Sequence, residues 1–234
     1  MFFGSPFVSK LDSFILSIVS LLPFKDKVLR LRSEQLSEIS ETTIRHYNEN
    51  ADSFWEGTRD HDVSQNVSAL LDALGRGTHR ILDFGCGPGR DLMTFKKLGH
   101  DPIGLDGAAE FCHMARLHAQ CTVWHQNFLR LELPHAFFDG VFANASLFHI
   151  PSQELPRVLS DVRAAIRPGG VLFASNPRGD NVEGWHGLRY GAYYDLSEWS
   201  RFMNQAGFIA LDHYYRPPGK PRDEQPWLAS TWRV

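Results

Sequence analysis

The chain has 234 residues, 43% hydrophobic and 22% charged, with a net charge of −3, which suits one soluble globular domain with some additional structure. The slight negative charge and the lack of a basic cluster with interleaved aromatics argue against nucleic-acid binding. Cys86, Cys112 and Cys121 have no metal-ligand spacing and leave an odd thiol, so no metal site is expected and a reduced, cytoplasmic compartment is the simpler reading.

Residues 14–22 are apolar but are followed by Pro23, and the run is well short of the roughly 20 residues needed to span a bilayer. No basic stretch precedes it and no small-residue cleavage site follows, which argues against a secretory signal. A peripheral packing helix, an interfacial anchor with weak membrane association and an organelle-targeting extension all remain open. Residues 1–37 therefore read as an N-terminal apolar extension and residues 38–234 as the main domain.

Residues 39–55 predict a helix with Ile44, Tyr47, Ala51 and Phe54 on one face. Asp62 or Ser64 can cap a second helix carrying Val67, Leu70, Leu71 and Leu74, ended by Gly75 and Gly77. A first strand runs into Asp83, and a helix through Leu92, Phe95 and Leu98 ends at Gly99. Residues 101–106 give a second strand, followed by a helix over Phe111, Met114 and Leu117. Residues 121–125 and 138–145 give the third and fourth strands. A helix over 155–166 and a turn at Pro168–Gly170 lead to a fifth strand over 171–175. Asp195 caps a helix to Gln205, Gly207 stops it, and residues 208–215 and 227–234 form the last two strands around a proline-rich hairpin loop. This alternation predicts an α/β sandwich with helices on both faces of a seven-stranded, mostly parallel sheet and an antiparallel last strand. The C-terminal ends of strands one, two and four meet at one edge, where a ligand binds in such sheets. Asp83, Gly85, Asp106, Asn127 and Asn144 fall at or near that edge.

The most informative run is Ile81-Leu82-Asp83-Phe84-Gly85-Cys86-Gly87-Pro88-Gly89-Arg90-Asp91. An apolar strand ends in a carboxylate, three alternate glycines let the backbone turn tightly, and a helix starts. The dinucleotide pattern G-x-G-x-x-G is not met, because Arg90 stands where its third glycine belongs. Two carboxylates, Asp83 and Asp91, suit a cationic ligand better than a phosphate. Cys86 reads as a small residue in a crowded bend. Asp106, just over twenty residues after Asp83, is placed to accept hydrogen bonds from a ribose, or alternatively to cap the helix near Ala108.

This run resembles motif I of the class I S-adenosylmethionine-dependent methyltransferases, a Rossmann-like fold. The resemblance implies S-adenosyl-L-methionine as cofactor. Asp83, Gly85, Gly87 and Gly89 would line its methionine moiety, Asp106 its ribose, and Asn127 and Phe128 its adenine. An Asp often stands where this chain has Asn127, whose amide still offers a donor and an acceptor. Asn144 joins the cofactor-binding candidates. Arg90 either pairs with Asp91 or reaches the methionine carboxylate; an ion pair is the simpler reading. Because a sulfonium is already a strong electrophile, the protein's share is alignment and desolvation, with a base needed only where the acceptor must lose a proton.

Longer runs are similar to the methyltransferase domain that ends the ovothiol-biosynthesis enzymes. They are Tyr47-Asn48-Glu49-Asn50-Ala51, residues 54–66, Phe142-Ala143-Asn144-Ala145-Ser146-Leu147-Phe148-His149, Asn176-Pro177-Arg178-Gly179 and Tyr214-Tyr215-Arg216-Pro217-Pro218-Gly219. That resemblance implies N-methylation of the imidazole ring of 5-thiohistidine (4-mercaptohistidine), a small-molecule acceptor. The family's iron-dependent sulfoxide synthase domain has no counterpart here, so a separate sulfoxide synthase would supply the thiolated histidine. His149, Asn144 and His61 are the catalytic candidates. Asp62, Asn176, Arg178, Tyr190, Tyr193 and Arg216 are the substrate-binding candidates, with Arg178 or Arg216 suited to a substrate carboxylate and His61, His149 or Asp62 to orienting the ring. Each has a bland alternative: His149 as a satisfied histidine at a helix start, and Tyr47, Tyr190 and Tyr193 as packing residues. Other readings keep the cofactor and change the acceptor to a phenol, a carboxylate or a quinone-type lipid, or make the chain a cofactor-binding module that regulates a partner without turnover.

Overall fold

In a computed structural model, which describes residues 30–234, the central strands of the sheet are buried on both sides. In β1 (Arg80–Phe84) every residue after Arg80 is buried, as expected of a parallel strand covered by helices on both faces. Alternate residues go to opposite layers. Leu82 and Phe84 pack with Leu105, Val141 and Leu172 on one face, while Ile81 packs with Phe142, Phe173 and Phe95 on the other.

Residues 32–234 form one compact unit. Its sheet contains β1, β2 (Asp101–Asp106), β3 (Val123–His125), β4 (Phe138–Asn144), β5 (Ile166–Pro177), β8 (Ile209–Arg216) and β9 (Trp227–Arg233). The order is β3-β2-β1-β4-β5-β9-β8. The first five strands run parallel to their neighbours, whereas β9 is antiparallel to both β5 and β8. Chain order reverses between β1 and β4, and the carboxyl ends at that switch point frame the ligand crevice of an open α/β sheet. The expected α/β architecture is therefore present, with its last strand antiparallel. The expectations for residues 14–22 lie outside the described residues.

Helices α3 (Ser64–Leu74), α4 (Arg90–Lys97), α5 (Ala109–Ala119), α6 (Leu155–Ala165) and α7 (Leu196–Gln205) cover the sheet. Asp195 caps α7 as expected, its carboxylate accepting from Glu198 N at 2.8 Å.

Two local departures bear on the site. The single helix expected over 39–55 is two, α1 (Ser33–Glu49) and α2 (Ala51–Thr58). At Asn50 the backbone leaves the helical region, and the side-chain amide donates to His46 O at 2.8 Å. This is the side-chain competition with the helix ladder that makes Asn a poor interior residue. Residues 182–193, between the fifth expected strand and the helix capped by Asp195, form a hairpin of β6 (Val182–His186) and β7 (Arg189–Tyr193), closed by a two-residue turn at Gly187-Leu188. Gly187 has φ +63°, a value glycine adopts without a Cβ penalty.

Candidate active site

The carboxyl ends of β1, β2 and β4 form the floor of a cavity of about 690 Å³, within the roughly 300–1,000 Å³ typical of sites that enclose a small molecule. Helices α1 and α2, the β6–β7 hairpin and the proline-rich loop after β8 supply its other walls.

The glycine turn after β1 is fixed sterically. Gly85 has φ +79°, and a Cβ there would sit 2.3 Å from Ser146 Cβ. Gly89 has φ +97°, and its Cβ would fall 2.9 Å from Ala115 Cα in α5. Gly85 and Gly87 line the cavity; Gly89 does not, because it starts α4 and lets α5 approach. Its expected place beside a methionine moiety thus gives way to a packing role.

Beneath the turn lies a charged cluster. Arg90 grips both oxygens of Asp91, at 2.7 and 2.9 Å, and donates to Thr58 O, the ion pair expected of it. Asn144 Nδ2 donates to Asp91, Asn66 Nδ2 to Asn144 Oδ1, and Tyr214 OH to Asn66 Oδ1. Both ends of the Asn144 amide are therefore engaged, so Asn144 positions Asp91 although it also lines the cavity. Asp83 is 1% exposed and its Oδ2 has no hydrogen-bond partner. Burial, and then the nearby Asp91 charge, push its carboxyl well above the ordinary range, with Arg90 pulling the other way. Two buried carboxylates thus share one guanidinium. The site lacks one positive charge, which an ammonium-bearing ligand would bring.

Asp106 lines the cavity and accepts from Gly87 N and Ala108 N, each at 2.9 Å. It therefore holds the glycine turn and the start of α5, the capping alternative, while a carboxylate's remaining lone pairs stay available to hydroxyl donors. Burial raises its pKa to about 6 despite those N–H bonds. Phe128 stacks on Phe84 with centroids 4.5 Å apart and lines the wall. Asn127 does not line it: its Oδ1 is held by Ser40 Oγ at 3.0 Å and Leu129 N at 2.8 Å.

On the opposite wall, His149 Nε2 lies 2.8 Å from Tyr47 OH and its Nδ1 2.6 Å from Tyr190 O. Burial lowers its pKa to about 4. Burial raises the Tyr47 phenol, opposed by a hydrogen bond from the Arg189 guanidinium. His61, Asp62 and Arg216 also line the cavity. Asp62 Oδ1 accepts from Ser64 N at 2.9 Å, starting α3 and lowering its own pKa. Arg216 Nη2 donates to Asp62 O at 2.9 Å, while its buried Nε has no partner.

Four expected acceptor residues lie outside the wall. Arg178 is turned away, donating to Gln225 O and Arg222 O in the proline-rich loop. Asn176 is buried at the end of β5. Tyr190 packs edge-on against Trp185, and only its backbone reaches the site. Tyr193 packs against His186. Two wall residues are not among the expected site residues: Tyr47, which apolar periodicity assigns to packing although it stands within a family-like run, and Arg189, which lies in the hairpin, where nothing in the sequence signals it. Among the described residues no cluster of three or more His, Cys, Asp or Glu could hold a metal ion, and no helix is long and apolar enough to cross a membrane.

Residues 81–170, from β1 into β5, match the family model of a methyltransferase domain. That part of the chain is similar to a methyltransferase domain. The chain is 31% identical over 155 residues to 24-methylenesterol C-methyltransferase 2 of Oryza sativa subsp. japonica, covering 58% of this chain and 40% of the relative. It is 34% identical over 122 residues to trans-aconitate 2-methyltransferase of Azoarcus sp., covering 50% and 47%. The chain thus spans less than half the length of these curated relatives. The methyltransferase fold is also that of Burkholderia thailandensis 1,6-didemethyltoxoflavin-N1-methyltransferase, solved with S-adenosylhomocysteine. There the TM-score is 0.70 at 23% identity, covering 89% of this chain and 92% of that one.

S-adenosylmethionine, the cofactor that the glycine-turn resemblance implies, fits the residues present. The unpartnered Asp83 Oδ2 and the missing positive charge suit the ligand's ammonium, and Gly85 and Gly87 leave open backbone where side chains would intrude.

Proposed function

We propose that this chain is an S-adenosylmethionine-dependent N-methyltransferase whose acceptor is the imidazole ring of a small thiohistidine, 5-thiohistidine. The observation that carries the reading is the division of charge across one cavity. Asp91 and Arg90 line the glycine side with the buried Asp83 carboxyl behind them, and an arginine with an unpartnered Nε lies on the acceptor side.

Asp83 and the backbone of Gly85 and Gly87 hold the methionine end of the cofactor, Asp106 its ribose and Phe128 its adenine. When bound, the cofactor supplies a methyl group on an electrophilic sulfonium. Arg216 binds the acceptor's carboxylate, with His61 and Asp62 beside it. The aromatic rings of Tyr47 and Phe148, both in the wall, confine a flat heterocycle and exclude water. The fold neighbour named for methylation at a toxoflavin ring nitrogen supports a heteroaromatic N-acceptor. In this reading a separate sulfoxide synthase supplies the thiolated histidine. The unpartnered Arg216 Nε also favours a second reading, methylation of a carboxylate oxygen, in line with the relative named for trans-aconitate.

The full-length protein is incubated with S-adenosylmethionine and 5-thiohistidine, histidine or trans-aconitate, and products are identified by mass spectrometry and NMR. A methyl group on a ring nitrogen of 5-thiohistidine alone is expected. Methylation of a carboxylate, or no product despite measured cofactor binding, rules out the thiohistidine assignment.

A further inference from the structure

Tyr47, His149 and Arg189 meet from three separate parts of the chain, and their hydrogen-bond polarity follows from geometry. A carbonyl oxygen can only accept, so Tyr190 O, 2.6 Å from His149 Nδ1, requires the proton on Nδ1. Nε2 then carries the lone pair, and the Tyr47 hydroxyl, 2.8 Å away, must be its donor. The nearby Arg189 guanidinium favours the ionised Tyr47 oxygen. That oxygen keeps one further lone pair, and Tyr47 lines the cavity.

From this arrangement, and resting on the N-methyltransferase reading, we infer that Tyr47 and His149 form a proton relay that takes the ring N–H proton of the acceptor. The acceptor's N–H bond breaks and its electron pair stays on nitrogen. The proton passes to Tyr47 Oη, and the proton Tyr47 held passes to His149 Nε2. His149 then has both N–H groups satisfied, one by Tyr190 O and one by Tyr47 Oη, so the chain absorbs one proton without any group moving. Tyr47 is the residue that meets the acceptor, and His149 acts through it.

The charged and titratable groups facing the pair are Arg189 and Tyr193 from β7 and Asp106 from β2. Burial holds His149 neutral at physiological pH, so Nε2 keeps its lone pair, and an imidazolium formed there gives its proton up readily. The nearby Arg189 charge opposes the imidazolium, which makes its protonation transient.

The test uses full-length protein labelled with ¹⁵N-histidine, comparing wild type with Tyr47→Phe and His149→Gln. Tyr47→Phe keeps the ring that packs on Phe54 and Phe111. The nitrogen spectrum should show one histidine fixed as the Nδ1–H form, absent from His149→Gln, whose Nε2 signal moves in Tyr47→Phe. Single-turnover methylation of 5-thiohistidine should slow by about 10²-fold in both variants near neutral pH. The gap should narrow as pH rises and solution hydroxide removes the proton, with unchanged affinity for S-adenosylmethionine. An Nε2–H tautomer at His149, or variant pH profiles parallel to wild type, overturns the relay. A wild type that binds S-adenosylmethionine but does not methylate 5-thiohistidine removes that acceptor, and the nitrogen spectrum then decides the relay.

Discussion

His149→Gln should change how stability responds to acid. His149 is held at a pKa of about 4, against an ordinary histidine value of 6.5, because burial disfavours its charged form. A lowered base means the unfolded chain binds more protons between those values, so its stability contribution is complete above about 6.5 and is lost as pH falls toward 4. Asp106 behaves oppositely. Its carboxyl is raised from 3.8 to about 6 by burial, so the folded state binds the extra proton and stability rises as pH falls through about 6. Between about pH 7.5 and about pH 5, integrating these shifts gives a loss of about 2 kcal/mol from His149 and a gain of about 1 kcal/mol from Asp106. Asp83, also raised, adds in the same sense as Asp106. The two carboxyls therefore largely mask the histidine in wild type. Glutamine never protonates and can bond both Tyr47 and Tyr190 O, so His149→Gln should be stabilised by acid where wild type is nearly flat. Urea unfolding at the two pH values measures this, and all other ionisable groups cancel in the comparison. If the two proteins show the same change in unfolding free energy, within about 0.5 kcal/mol, His149 is not buried neutral and the reasoning fails.

Asp83→Asn should weaken S-adenosylhomocysteine binding by about tenfold or more, the loss of one charge-assisted hydrogen bond, yet raise the melting temperature of the free protein; calorimetry and thermal scans report the two. Gly85→Ala should destabilise the fold by about 2 kcal/mol or more, because a Cβ meets Ser146 and φ is +79°, and should abolish cofactor binding in the same titration. Arg216→Ala should raise the KM for 5-thiohistidine about tenfold or more with cofactor affinity unchanged, whereas Arg178→Ala should lower thermal stability and leave that KM alone. Steady-state kinetics on the two variants separate an arginine in the wall from one tied to the proline-rich loop.

The glycine-turn side of the cavity was legible because it is written locally. Asp83, Gly85 and Gly87 belong to one strand–turn–helix unit, and Asp106 ends the adjacent strand, so their meeting follows from topology alone. Apolar runs likewise revealed β1, β2, β4 and β5. The acceptor half is assembled from excursions whose contacts depend on packing. Tyr47 and His149 are 102 positions apart, and Arg189 reaches Tyr47 only through a hairpin whose three glycines, Gly184, Gly187 and Gly191, make its strands read as loop. Residue type alone could not show that Arg178 would be bound by loop carbonyls, or that the Asn127 carbonyl oxygen would be used by Ser40 and Leu129. The helix break at Asn50 has a local signal, an Asn able to bond the carbonyl four residues back, but apolar periodicity continues across it and hides it.

Helix α1 closes the cavity with a single stripe of side chains. Ser40 bonds Asn127, Thr43 accepts from Tyr190 N, Ile44 fills the space above Gly107, Tyr47 meets His149, and Asn48 accepts from Glu110 N. These positions recur every three to four residues, so one rigid rod is fastened to the ends of β3 and β4, to the hairpin and to α5. Lifting α1 from the cavity breaks these four hydrogen bonds, each contributing about 1 kcal/mol. Weakening the α1 stripe at Ser40 or Asn48 should therefore shorten the residence of a bound ligand without altering the glycine turn.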